Sequence, residues 1–303
     1  MAYRIVVCAK QVPDTRAVTG EAMNADGTIN RAALPAIFNP EDRNALEMGL
    51  SLRDRFGGKV TVITMGPPRA AGILREALEM GADDVVLLTD RGFAVADTLA
   101  TSYTLARAID RTGAADIVLC GRQAIDGDTA QIGPQLAGRL GIGQVTYVTE
   151  VMDLCDGAVL AKRLIDGGLE TVEAKLPLLM TIPAEANEPR PTSAKRIMKY
   201  KNSKCPWELL NELDPQKTLT DEELQGRLKE KEYALGQAGL LIAEWDGAAI
   251  AADMEQCGYT GSPTRVMKVE SAVLKQTEHK QVEPTEPGLR ELVEELARDH
   301  VIE

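Results

Sequence analysis

The chain has 303 residues, of which 44% are hydrophobic and only 4% aromatic, and its formal net charge is −12. The hydrophobic content is that of a globular protein, and the length suffices for two domains or for one domain with a long extension. The acidic charge argues against general nucleic-acid binding, because the phosphate backbone binds basic surfaces. We therefore expect no nucleic-acid partner.

The cysteines, histidines and hydropathy exclude further kinds of site. No two cysteines have CxxC spacing, and Cys8 and Cys120 lie in apolar runs, so we expect reduced core thiols. The two histidines, His279 and His300, are near the C-terminus, so we expect neither a metal site nor catalytic acid–base residues. No apolar stretch approaches the ~20 residues that span a bilayer, and a strand rather than a signal peptide begins at residue 3. We expect a cytoplasmic protein without membrane insertion.

Four short apolar runs predict the strands of a parallel sheet. They cover residues 3–9, 59–65, 84–89 and 116–120. Runs that are apolar on both faces are expected where helices cover both sides of a parallel sheet. Helix-like stretches alternate with these runs at residues 39–56, 67–80 and 97–111. The alternation predicts an α/β fold with a doubly wound, mostly parallel, Rossmann-like sheet.

The predicted helices carry start and stop signals. Asn39 is expected to cap the first helix, Pro40 suits its first turn, and Asp42 is favoured at its positive end. Gly81 directly follows the second helical stretch, where glycine is a favourable C-cap. These signals support the helix boundaries that the apolar spacing predicts.

From about residue 145 the pattern changes to strand-like runs separated by turn sequences. The runs DG at 156–157 and DGG at 166–168 favour hairpins, so we expect an antiparallel edge to finish the sheet. The following proline-containing stretch then changes into a basic run.

The last third of the chain has scattered apolar residues, although Thr220 and Glu223 form the sequence of a capping box. This distribution predicts an arm that packs against something other than itself. We divide the chain into an α/β nucleotide-binding domain at 1–183, a recognition loop with its basic run at 184–205, and an arm at 206–303.

The stretch GRQAIDGDTAQIGP at 121–134 follows the fourth parallel run. Loops at the carboxyl ends of such strands line the ligand crevice of doubly wound folds. The stretch matches neither the GxGxxG fingerprint nor the GxxxxGK[ST] phosphate loop. Its chemistry must therefore be considered residue by residue.

A helix that begins near Thr129 would direct free N–H groups and its dipole at the crevice, which favours an anion. Thr129 and Gln131 would add neutral hydrogen bonds to phosphate. Asp126 and Asp128 would cap the helix or bind ribose hydroxyls. An ordinary capped turn is the alternative, so this motif by itself leaves ligand binding open.

Several stretches, in the same order, resemble those of electron-transfer flavoprotein beta subunits. They are VCAKQVPDT at 7–15, NPED at 39–42, ITMGPP at 63–68, ALEMGADD at 77–84, AIDGDTAQIGP at 124–134, IDGGLE at 165–170 and ANEPRPTSAKRIMKYK at 186–201. The resemblance covers residues 3–201 well and the remainder loosely. Several motifs in register are much more specific than one motif.

The resemblance implies a heterodimer with an alpha subunit, on which the arm would pack and which would hold most of a redox FAD. The beta subunit would hold either structural AMP or, in electron-bifurcating members, a second FAD. Its partners would be an acyl-CoA or other flavin dehydrogenase and, for bifurcation, NADH and ferredoxin or flavodoxin. By position, the nucleotide contacts of the family fall on Cys8, Ala9, Asn39, Pro40, Glu41, Asp42, Met65, Gly121, Arg122, Gln123, Ala124, Ile125, Asp126, Gly127, Asp128, Thr129, Ala130, Gln131 and Ile132.

Departures from the family pattern bear on the choice between FAD and AMP. Members that hold AMP typically have AIDDDCNQTG where this chain has AIDGDTAQIG. Gly127 thus replaces a carboxylate and Ala130 an asparagine, which thins the loop. The run GSPT at 261–264 and an extra helix near 220–235 also resemble the bifurcating kind. The resemblance therefore favours FAD; AMP, or a nucleotide sensor without a redox role, remains the alternative.

The basic run is the expected docking surface for the dehydrogenase. Ala194 stands where many members have a leucine that inserts into the dehydrogenase, so docking by a hydrophobic plug is in doubt. The predicted docking residues are Arg190, Ala194, Lys195, Arg196, Lys199 and Lys201. A solvated surface without a partner is the alternative.

Overall fold

The computed structural model describes residues 2–14, 34–216, 218–264 and 281–298. Within these ranges the strands are β1 (Tyr3–Ala9), β2 (Gln11–Pro13), β3 (Ala36–Phe38), β4 (Gly58–Met65), β5 (Asp84–Leu88), β6 (Ile117–Gly121), β7 (Gly143–Val145), β8 (Val148–Cys155), β9 (Ala158–Ile165), β10 (Gly168–Lys175), β11 (Leu178–Ile182) and β12 (Ala243–Trp245). The helices are α1 (Pro40–Phe56), α2 (Ala71–Met80), α3 (Thr98–Thr112), α4 (Ile132–Leu140), α5 (Ala194–Tyr200), α6 (Pro206–Leu213), α7 (Asp221–Gln237) and α8 (Glu286–Arg298).

The main sheet has the strand order β12-β5-β4-β1-β6-β11-β7, and its strands pair in parallel. Its four central strands are the four apolar runs of the sequence, displaced at their ends by a residue at most. The predicted doubly wound, mostly parallel α/β fold is confirmed.

Helices cover both faces of this sheet. Successive side chains of a strand point to opposite faces, so Val7 of β1 packs in the same cluster as α1 and α2, while Val6 and Cys8 pack with α3 and α4. The chain therefore continues from β1 to a helix on one face and from β6 to a helix on the other. Since β1 and β6 are neighbours, their carboxyl ends form the topological switch point of the sheet.

The predicted antiparallel strands are present, and they form a sheet of their own with the order β10-β9-β8. Asp156 and Gly157, with φ of 51° and 76°, make the turn between β8 and β9. Both residues tolerate this left-handed backbone, as the DG sequence indicated. Buried side chains of β8 and β9 pack into the core on the α1 and α2 face.

The segment after residue 202 returns to the main sheet. β12 extends the sheet beside β5, with Trp245 opposite Leu88. Leu209 of α6 is only 2% exposed, and Ile250 packs in the cluster that contains α3 and α4. Much of the expected arm thus packs against the chain's own domain, whereas α8 contains no buried residue. Packing of the arm on another subunit stays a prediction, as do the three boundaries.

Candidate functional site

The crevice at the switch point is bounded by the carboxyl ends of β1, β4 and β6 and by the loop at 121–132. Cys8 and Ala9 are buried at the end of β1, and Met65 is half-buried at the end of β4. The start of α1 joins these strand ends from one side. The fold therefore brings the four predicted groups of site residues to one edge of the sheet.

The Asn39 side chain does not cap α1, contrary to the sequence prediction, because it accepts no hydrogen bond from the first N–H groups of that helix. Its amide Nδ2 donates to the Gln123 carbonyl over 2.9 Å, and its Oδ1 accepts from the Ile125 N–H over 3.1 Å. The side chain is fully buried, where polar groups need partners. Asn39 thus holds the backbone of the 121–132 loop.

The first two acids of α1 hold backbone N–H groups at the crevice. Glu41 accepts from the Gln123 N–H over 2.8 Å, and its other oxygen lies 2.8 Å from the Arg122 guanidinium. Asp42 accepts from the Lys10 N–H over 2.8 Å and from the Gly121 N–H over 3.1 Å. These carboxylates position both loops rather than projecting freely into the crevice.

Close packing at Asp42 has two consequences. A Cβ added at Gly121 would lie 2.5 Å from Asp42 Oδ1 and 2.8 Å from its backbone nitrogen, so position 121 requires glycine. Burial raises the pKa of Asp42 to about 7, against the lowering effect of its N–H donors. The adjacent Cys8 thiol and burial also raise the pKa of Cys120, which keeps it a thiol.

The turn at 124–128 is open on its outer side. A Cβ added at Gly127 would meet no described atom within 4 Å. Asp128 and Ala130 adopt left-handed backbone, with φ of 48° and 51°. Such backbone is costly for residues other than glycine, and it clusters at functional sites. The Gln123 side chain donates to Asp128 over 2.9 Å and supports the turn.

Helix α4 begins at Ile132, three residues later than predicted. The left-handed backbone of Asp128 and Ala130 cannot continue a right-handed helix, which explains the later start. No side chain caps α4, and its first turn contains no acidic residue. Gln131 instead accepts from the Thr98 hydroxyl over 2.8 Å. The first N–H groups of α4 therefore remain without a side-chain cap, as an anion site requires.

Neither aspartate caps α4, so the first of the two roles predicted for them is wrong. Asp128 accepts from Gln123, and both oxygens of Asp126 lie 2.7 Å from the Lys10 ammonium. Lys10 is not among the predicted site residues, because 116 residues separate it from its partner. Its position directly after β1, at the same edge of the sheet, was the available indication.

The start of α3 borders the same crevice. The Asp97 side chain accepts from the Ala100 N–H over 3.0 Å and from the Thr264 N–H over 3.0 Å. The buried Ser262 hydroxyl accepts from the Asp97 N–H over 2.8 Å. The GSPT run thus closes this helix start.

Comparisons with known proteins agree with this geometry. The profile of the electron transfer flavoprotein domain matches residues 26–204. The electron transfer flavoprotein subunit beta of Clostridium acetobutylicum is 40% identical over 299 residues, which cover 98% of this chain and 99% of that protein. The chain belongs to the electron transfer flavoprotein family.

Other relatives support the beta-subunit assignment within the electron transfer flavoprotein family. Protein FixA of Bradyrhizobium diazoefficiens is 40% identical over 87% of this chain and 81% of its own length. The caffeyl-CoA reductase-Etf complex subunit CarD of Acetobacterium woodii is 50% identical over 64% of this chain and 74% of its own length. The resemblance to electron-transfer flavoprotein beta subunits is confirmed.

The predicted docking residues of this electron transfer flavoprotein chain differ in their surroundings. Arg190 binds Glu47 over 2.7 Å and Asp54 over 2.9 Å, so it fixes the recognition loop to α1. Although burial opposes ionisation, hydrogen bonds from Arg190 lower the pKa of Glu47. Arg196 donates to the Leu78 carbonyl over 3.3 Å.

The other predicted docking residues lie on or beside α5. They are Ala194, Lys195, Lys199 and Lys201, and all four are exposed. Met198, 64% exposed, adds apolar surface that sequence analysis did not single out. None of the described helices has the length and apolar character needed to cross a membrane.

Proposed function

We propose that this beta subunit binds FAD at the crevice, pairs with an alpha subunit in the cytoplasm, and passes electrons by flavin-based bifurcation. The electrons would come from NADH or a flavin dehydrogenase and would go to the alpha flavin and to a low-potential acceptor such as ferredoxin or flavodoxin. The observation that carries the proposal is the open 121–132 loop in front of the uncapped α4.

The residues at the crevice fit a dinucleotide diphosphate. The N–H groups of Ile132 and Gly133 open α4 without a capping side chain or a first-turn acid. Helix N-termini of this kind favour phosphate through their N–H groups and their dipole. The open space at Gly127 leaves room where AMP-holding members carry a carboxylate. The helix start would favour the phosphate of either nucleotide, and the open space at Gly127 supports FAD over AMP.

When bound, FAD supplies the hydride and one-electron chemistry. The chain's own task would be to bind, orient and space the cofactor. Glu41 and Asp42 are occupied with loop N–H groups, and Asp126 with Lys10. These side chains therefore act as supports, and the proposal assigns no general acid, base or nucleophile to the chain.

Extraction of nucleotide from the native alpha–beta complex tests the proposal. We expect two FAD and no AMP per heterodimer. One FAD with one AMP would leave ordinary electron transfer and would overturn bifurcation. A colourless complex that holds only AMP would instead support a nucleotide sensor without a redox role.

Docking of the dehydrogenase on α5 is the second part of the proposal. Lys195 and Lys199 are exposed, although Lys199 also donates to the neighbouring Tyr200 hydroxyl over 3.2 Å. Arg190 and Arg196 are half-buried and bind groups of α1 and α2. Exposed charges mainly raise the rate of encounter, and salt screens them over about 8–10 Å. An acidic partner surface would therefore meet the lysines first.

We predict that Lys195→Glu with Lys199→Glu slows electron exchange with the dehydrogenase about tenfold at low ionic strength. Flavin content and heterodimer formation should not change, and added salt should reduce the difference. Stopped-flow rates at several salt concentrations measure both effects. Lys162→Glu with Lys175→Glu, on the separate antiparallel sheet, is the matched control. Equal rates for the α5 variant and the wild type would exclude α5 as the docking surface.

A further inference from the structure

The 121–132 loop is unusually acidic for a phosphate site. It contains Asp126 and Asp128 against one cation, Arg122, which is already paired with Glu41 at 2.8 Å. A diphosphate that approaches this loop would meet net negative charge, and like charges repel over these distances. The uncapped start of α4 attracts an anion, so the acidic turn beside it needs a compensating charge.

Lys10 supplies a positive charge at this point. Its ammonium lies 2.7 Å from each oxygen of Asp126, so it compensates that carboxylate at short range. The backbone of Lys10 is also fixed, because its N–H donates to Asp42 over 2.8 Å and its carbonyl accepts from the Asn39 N–H over 2.9 Å. The lysine thus starts from a rigid point at the end of β1.

The exposure of the Lys10–Asp126 pair indicates whether the pair acts mainly on folding stability or on ligand affinity. The side chains of Lys10 and Asp126 are 47% and 24% exposed. Ion pairs with this exposure contribute only about 0–1 kcal/mol to folding stability. A charge a few ångströms from a bound diphosphate, however, changes ligand affinity directly. We therefore look for the effect of the pair in binding rather than in folding.

We propose that Lys10 is a positioning residue that allows the acidic 121–132 loop to accept an anionic nucleotide, by neutralising Asp126. This inference rests on the proposed nucleotide-binding function. It assigns a role to a residue outside the nucleotide contacts that the family resemblance implied. Neutralisation predicts a specific result for the combined substitutions. Once Asp126 has lost its charge, Lys10 should no longer be needed for nucleotide binding.

The test uses the alpha–beta complex stripped of nucleotide, with dissociation constants for FAD and for AMP measured by titration calorimetry. Lys10→Met should weaken binding of both probes about tenfold. Asp126→Asn should bind as tightly as the wild type or more tightly. The double variant should return to within about threefold of the wild type. Salt should reduce the defect of Lys10→Met.

Lys162→Met is the matched control, because Lys162 forms a similar exposed ion pair with Glu150 at 2.8 Å on the antiparallel sheet. Thermal unfolding should give similar midpoints for all variants. A double variant as weak as Lys10→Met would overturn the inference and would assign Lys10 to direct phosphate contact. Weak binding by Asp126→Asn would also overturn it, because the ion pair would then act by holding the loop in position rather than by neutralising charge. Failure of the wild type to bind either probe would overturn the proposed function itself.

Discussion

The starts of α1, α3 and α4 border the crevice, and they differ in which side chains lie at their first N–H groups. The start of α3 is closed by Asp97, which itself is held by Ser262. The start of α1 carries Glu41 and Asp42, whose oxygens hold neighbouring loops. The start of α4 has neither a cap nor an acid. The start of α4 is therefore the one of these three that combines the lack of a side-chain cap with the lack of a first-turn acid, which is the arrangement that the proposed anion site would use.

Asp42 gives the largest expected effect, on the pH dependence of stability. Its pKa is raised to about 7 in the folded protein. Folding therefore favours its protonated form, so the stabilisation is present at low pH and is lost as pH rises from about 4 to about 7. The slope is at most about 1.4 kcal/mol per pH unit.

Asp42→Asn should remove this slope while lowering stability overall, because the amide offers one acceptor oxygen to two N–H donors. Denaturant titrations of the wild type and the variant between pH 5 and pH 7.5 measure the difference. A difference that stays constant over this range would contradict a raised pKa at Asp42.

Gly127→Asp tests the open side of the loop before α4. The new side chain meets no described atom within 4 Å, so stability should change little. Its charge would face the phosphates, and we expect FAD affinity to fall about a hundredfold. Gly127→Asn is the control of similar size without charge. Equal FAD content in wild type and Gly127→Asp complexes would refute the placement of the phosphates.

Gln131→Glu makes α4 more like the closed helix starts. The substitution keeps the oxygen that accepts from Thr98 and adds a charge at the start of the helix. We expect FAD affinity to fall about tenfold, with stability unchanged or slightly raised. Gln135→Glu, about one turn further into α4, should have a clearly smaller effect. Similar losses for both variants would show that position along the helix does not matter.

Asp97→Ala opens the closed start of α3 and gives the smallest effect. Loss of this cap should cost about 1 kcal/mol of stability at pH 7. Although partial burial opposes ionisation, the N–H groups of Ala100 and Thr264 lower the pKa of Asp97. The cost should therefore be present above about pH 4 and disappear as pH falls through the folded pKa. FAD affinity should stay near that of the wild type; a large loss would mean that α3 also contacts the nucleotide.

Strong local patterns made most of the α/β fold predictable. β1 has the predicted bounds, because a short run that is apolar on both faces is typical of a parallel strand covered by helices on both sides. β12 escaped prediction, since its three residues, Ala243–Trp245, carry too short a pattern. Its strand conformation comes from pairing with β5, which lies about 155 residues earlier in the chain.

At the site, sequence predicted which residues gather but not which partners they take. The polar side chain of Asn39 suggested a cap, yet its burial under the 121–132 loop gives it two backbone partners there. The Lys10–Asp126 pair is a long-range contact and leaves no local pattern. The late start of α4 follows from left-handed backbone at Asp128, which aspartate tolerates but does not require.

The position of β12 has a consequence for the order of folding. Until Ala243–Trp245 have been synthesised, β5 is the outermost strand of the sheet, and Val86 and Leu88 lie on an edge without a neighbour. Unpaired edges of apolar strands readily join edges of other chains. A nascent chain of about 240 residues would thus expose the unpaired backbone groups of β5 at the edge of an otherwise complete sheet. Synthesis of β12 would then pair these groups. We therefore expect chains that stop before β12 to aggregate more readily than the full chain.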